Sequence, residues 1–173
     1  MAMEAMTERR SRLLKERELA RLRDVHGTRL VSLLSQGLRM PFSLDDFRLG
    51  ISPPWTAFWS GRTEDTPGLV AAYIDRGTAI RLLSCMERSE IEKRGCLGIL
   101  NNEYIGICEV SEINLVDLLS AADLTNESVA FYPADAEGAI IVDCYRSGAG
   151  EPYSVLVQGP DMTVSLRNCF RLK

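Results

Sequence analysis

The chain has very little histidine: one residue, His26, in 173. A Ser–His or Cys–His nucleophile would have to use that residue, and a histidine-rich metal site is excluded. The five cysteines form no CxxC pair. Cys85, Cys96, Cys108, Cys144 and Cys169 are separated by gaps of eleven, twelve, thirty-six and twenty-five, too wide for the paired ligands of a structural zinc. There is no GxxxxGK, HExxH or GxSxG, so the phosphate-loop, zinc-protease and hydrolase-elbow signatures are missing. Gly148-Ala149-Gly150 has a GxG spacing, but it falls between two strand candidates and lacks the helix that would bind a pyrophosphate. No apolar run approaches the roughly 18–20 residues of a membrane span. The start, MAMEAMTERR, has no apolar core of signal-peptide type. The expected compartment is the cytoplasm, with all five thiols reduced.

What is present is ordinary in amount and uneven in placement. An apolar fraction of 46% and a charged fraction of 25% suit a globular domain able to bury its own core. The formal net charge of −4 hides a division. Residues 1–40 hold nine Lys/Arg against five Asp/Glu, a net of +4, and residues 41–173 hold eleven against nineteen, a net of −8. An acidic body repels phosphate backbones and suits a basic partner.

Residues 7–36 read as helix, with Thr7 as cap and Gly37 as stop. Leu19, Leu22, His26, Leu30 and Leu33 follow spacings of three and four, which makes one stripe and gives His26 a packing role. Gly27 divides the run, with Thr28 capping a second helix. Residues 37–68 are broken by prolines, and Ser43 with Asp46 opens a short helical turn. From Leu69 the period becomes two. Strands are expected at 69–75 and 78–86, joined by a turn at Arg76-Gly77, and at 96–100 and 104–110. Ser111 caps a helix with Ile113, Val116 and Leu119 on its buried stripe. Strands follow at 128–132, 139–145, 153–158 and 162–170, the last with Met162, Val164, Leu166 and Phe170 on its dry side. The pattern predicts an α+β fold: a mainly antiparallel sheet of about eight strands in two groups of four, an N-terminal helix and a central helix. Residues 1–37 form the N-terminal helical segment of a single compact domain, and 38–173 its α+β body.

Cys96 to Cys108 reads CLGILNNEYIGIC, nearly a palindrome. A three-residue loop sets Cys96 opposite Cys108, and a two-residue loop sets Cys96 opposite Ile107. Either way the stretch reads as a hairpin with two reduced thiols rather than a redox site.

No catalytic, cofactor or metal residue is assigned. The candidate partner-binding residues are Trp55, Phe58 and Trp59, aromatic anchors within PPWTAFWSG, and Asp135 and Glu137 in an acidic turn. Asp75, Glu109 and Asp143 fall near strand ends, where a pair could do acid–base work. Arg9, Arg10, Arg12, Lys15, Arg17, Arg21 and Arg23 are interleaved with Glu8, Glu16, Glu18 and Asp24, the composition of a solvated or self-associating helix. The expectation is a small cytoplasmic protein-binding protein, in its most specific form an immunity-type inhibitor that occludes a toxin or enzyme by surface complementarity. Its partner would be a basic protein, not nucleic acid or membrane. The alternatives are a hydrolase-type enzyme using paired carboxylates, and a homo-oligomeric adaptor assembled through residues 7–36.

Overall fold

The computed structural model describes residues 2–49, 69–89, 91–100, 102, 104–134, 138–144 and 153–171. The chain begins with helix α1 (Ala2–Leu22), which runs through a π turn (Arg23–Gly27) into α2 (Thr28–Leu38). Thr28 caps nothing, because the helical path is continuous there. Gly27 keeps helical φ/ψ of −60° and −50° and no side chain caps the junction. The π turn adds a residue to the helical repeat, so the expected stripe loses phase. His26 is exposed rather than packed, and the buried set is Leu30, Val31, Leu34 and Leu38. The helix ends one residue past Gly37, on Arg39 in the left-handed region at φ 57°. Gly37 instead serves packing, since a Cβ there would lie 2.4 Å from Ala121 Cα. It lets α2 cross closely over α4 (Leu115–Thr125).

The sheet strands are β1 (Leu69–Ile74), β2 (Gly95–Ile99), β3 (Ile107–Val110), β4 (Val129–Pro133), β5 (Ala139–Cys144) and β6 (Tyr153–Gln158). They form one antiparallel sheet in the order β1-β6-β5-β4-β2-β3. The α+β class and antiparallel pairing hold, but the two groups of four strands do not.

The two lost strands are helices, α3 (Arg76–Glu87) and α5 (Pro160–Arg171). In α3 the buried residues are Thr78, Ala79, Leu82, Leu83 and Met86, the spacing of a helix and not of a strand. Its start is set by Asp75, whose carboxylate accepts from the Thr78 N–H at 2.9 Å and the Thr78 hydroxyl at 2.7 Å. Arg76-Gly77 is therefore a first helical turn and no hairpin. In α5, Pro160 takes the first position, where its missing N–H costs nothing. Met162 and Leu166, four apart, are buried while Val164 is exposed. Alternation over so few residues satisfies both periods.

The central helix α4 starts later than expected. Asn114, not Ser111, caps it by accepting from the Val116 N–H at 2.9 Å, and Ile113 is buried ahead of the helix. The helices cover one sheet face, where Leu97, Ile99, Val129, Phe131, Ile140, Val142, Val155 and Val157 join their core. The opposite face carries Ile107, Ala130, Tyr132, Ala139, Ile141 and Leu156, also buried. Burial on both faces explains why β4 and β5 read as continuous apolar runs.

Cysteine pairing departs from the all-reduced expectation. Cys85 and Cys169 form a disulfide that links α3 to α5, while Cys96, Cys108 and Cys144 are free. No described helix is long and apolar enough to cross a membrane.

Candidate functional site

Exposed carboxylates flank the β3 edge of the sheet. Residues 41–48 are built onto it. Ser43 and Asp46 form the expected capping box around a 3-10 turn, Leu44–Asp46. Phe47 then turns inward against Phe42, edge to face at 5.8 Å. Arg48 bridges to Ile107 through two backbone hydrogen bonds of 2.8 and 3.2 Å. Gly106, at φ 86°, permits this approach, because a Cβ would lie 2.3 Å from the Arg48 carbonyl oxygen.

One side chain fastens the assembly. Arg23, in the π turn, donates from Nη1 to the carbonyls of Tyr104 (3.2 Å) and Ile105 (2.6 Å), and from Nη2 to those of Leu44 (2.6 Å) and Phe47 (2.9 Å). The planar guanidinium fork suits four convergent acceptors. It ties the root of α1 to both loops of the edge.

Asp45, Asp46, Glu109 and Glu112 stand exposed around this edge. The Ser43 backbone N–H, and then its hydroxyl, hold the Asp46 carboxyl below its ordinary value. Arg48 lies 3.7 Å from Glu109 with both side chains largely in solvent, so the pair adds little. Ladder alternation turns the Glu109 N–H and C=O to the open side, since Ile107 bonds Arg48. The edge thus presents carboxylates beside open backbone groups, a surface that attracts cations and extended cationic segments.

The CLGILNNEYIGIC hairpin forms, in a register shifted from both expectations. Cys96 faces Glu109 and Tyr132, and Cys108 faces Leu97. The two thiols project to opposite sheet faces and cannot pair across the ladder. Burial, then the charges of Asp46 and Cys96, push the Cys108 thiol up to about 12. Burial and Glu109 raise Cys96 as well. Both are protonated and poor nucleophiles.

Trp55, Phe58, Trp59, Asp135 and Glu137 lie outside the described residues. The three acids considered for paired catalysis are dispersed. Asp75 caps α3, Glu109 is exposed on β3, and Asp143 on β5 accepts a hydrogen bond from Ser128. The strand order sets Glu109 and Asp143 three strand spacings apart, at least about 14 Å.

A polar cluster not expected from sequence joins four elements. Asp123 accepts from the Tyr153 hydroxyl at 2.7 Å and the Cys144 thiol at 3.4 Å, and pairs with Arg76 at 3.2 Å. Burial, then the Asp123 hydrogen bond and charge, push the Tyr153 phenol up to about 12, so it stays a donor. The cluster knots the ends of β5 and β6 to α3 and α4. Its members are 76, 123, 144 and 153, with no local spacing to announce them. Among the described residues no group of three His, Cys, Asp or Glu could hold a metal ion. No family model, curated protein or solved structure matches the chain.

Proposed function

We propose that this chain is a protein-binding protein that offers its acidic sheet edge to a basic partner. The observation that carries the reading is the gathering of Asp45, Asp46, Glu109 and Glu112 on one exposed edge whose loops Arg23 holds. Complementary charge raises association rates and rejects acidic competitors without any catalytic group. In its most specific form the protein is an immunity-type inhibitor that covers the basic surface of a toxin or enzyme.

The test compares the native chain with an Asp45→Asn, Glu109→Gln, Glu112→Gln variant as bait, Asp46 being kept for its capping role. The native chain is expected to capture a basic protein that is released as salt rises through about 0.3 M, where screening shortens to a few ångströms. The variant, folded by circular dichroism, should not capture it. Equal capture by both baits rejects the reading.

A further inference from the structure

Helix α1 is about 31 Å long at 1.5 Å per residue, and from Glu8 to Glu18 every side chain is exposed. Leu13 and Leu14 are 45% and 56% exposed. Helices in proteins draw most of their stability from packing an apolar face, and residues 8–18 pack none.

Charge on α1 is also segregated. Arg12 pairs with Glu16 at 3.6 Å and Arg21 with Glu18 at 2.7 Å. Among the described residues no ion pair engages Arg9, Arg10 or Arg17. At 3.6 residues per turn, Arg10, Leu13, Leu14, Arg17 and Arg21 share a sector of about 100°, with Arg9 beside it. Glu8 and Glu16 fall outside that sector, while Glu18 flanks its other side and pairs with Arg21. Two leucines ringed by arginines suit an acidic surface with some apolar character.

We propose that this face of α1 docks on the acidic β3 edge of a second copy of the chain, a use of the edge that rests on its being a binding surface. Charge complementarity selects the occupant: the body is the acidic part of the molecule, and residues 1–40 are the basic part. Arg10 and Arg17 lie about 10 Å apart along the helix, close to the length of the four-residue β3. Arg23 roots α1 beside the chain's own edge. A two-fold arrangement that sets each α1 against its partner's edge makes the two contacts equivalent, and the assembly closes at a dimer.

Analytical ultracentrifugation of the full chain tests this with a charge swap. One variant is Arg10→Glu, Arg17→Glu, and the other is Asp45→Lys, Glu109→Lys, Glu112→Lys. The native chain is expected to sediment with twice the monomer mass at low salt. Each variant alone should sediment as a monomer, and their equimolar mixture should restore the doubled mass. A monomeric native chain overturns the inference, as does a dimer that survives Arg10→Glu, Arg17→Glu or a mixture that stays monomeric. Binding of a monomeric native chain to phosphatidylserine vesicles would assign the face to lipid and overturn it too. The capture experiment reads the edge's foreign partner separately, so loss of the dimer leaves that reading standing.

Discussion

At the residue scale, Arg23 shows how far a charged side chain can work without a carboxylate partner. Its four carbonyl acceptors lie on two segments, residues 44–47 and 104–105. Arg23→Ala is expected to cost about 2–3 kcal/mol in denaturant unfolding, since hydrogen bonds to a charged group are lost and part-buried carbonyls stay unpaired. Arg23→Lys should recover only part of this, because an ammonium lacks the planar fork. Asp117 offers a pH test. Burial raises its carboxyl, Arg39 opposes the rise, and Glu87 adds to it. The folded chain keeps this proton to higher pH than the unfolded chain, so stability falls as pH climbs above about 4 and levels once the folded group ionises. Asp117→Asn should flatten that fall and unfold at no less denaturant than the native chain at pH 7. Residue-scale legibility follows sequence distance. The Ser43–Asp46 box is readable because its members sit three apart. The Arg23 clamp is not, because its acceptors are backbone groups up to 82 positions away. The same distance hides the Asp123 cluster and the Cys85–Cys169 pairing, 84 positions apart.

At the element scale, six strands are legible within a few residues of their ends, apart from a late start to β3, and the two errors have one cause. TAIRLLSCM and MTVSLRNCF each contain enough apolar residues to fit period two or period 3.6. The deciding signals are at their starts: Asp75 three before Thr78, and Pro160 after Gly159. Both fit a turn as well as a helix start, because Gly and Pro mark either. The helix–helix contacts supply two predictions. Gly37→Ala should destabilise by about 1–3 kcal/mol in urea melts, since a methyl group cannot enter the α2–α4 crossing without separating it. The Cys85–Cys169 link closes a long loop, and in the chain-entropy account such a link contributes on the order of 4 kcal/mol. Adding a thiol reductant should lower the melting temperature, and Cys85→Ser, Cys169→Ser should lower it equally while becoming insensitive to reductant. An unchanged melting temperature on reduction would show that the pair contributes nothing to stability.

At the scale of the whole molecule, an acidic α+β body carries a basic helix whose residues 8–18 are all exposed. Deleting residues 1–18 should therefore leave the unfolding midpoint of the body unchanged while abolishing any dimer. A large drop in midpoint would show α1 to be part of the core. The charge division is visible in the sequence, but its placement is not. Residues 45 and 46 are brought to the β3 edge, where 109 and 112 lie, by the Arg48–Ile107 bridge and the Arg23 hydrogen bonds. The strand order has a temporal consequence. β1 takes its ladder partner from β6, with Leu69 opposite Gln158 and Ile74 opposite Tyr153. During synthesis on the ribosome, β2 through β5 can pair with one another as they emerge, while β1 waits with its hydrogen-bonding groups unmatched until residues 153–158 have been made. The first strand translated is thus the last to be joined, and a nascent chain stalled before Tyr153 would expose it to chaperones.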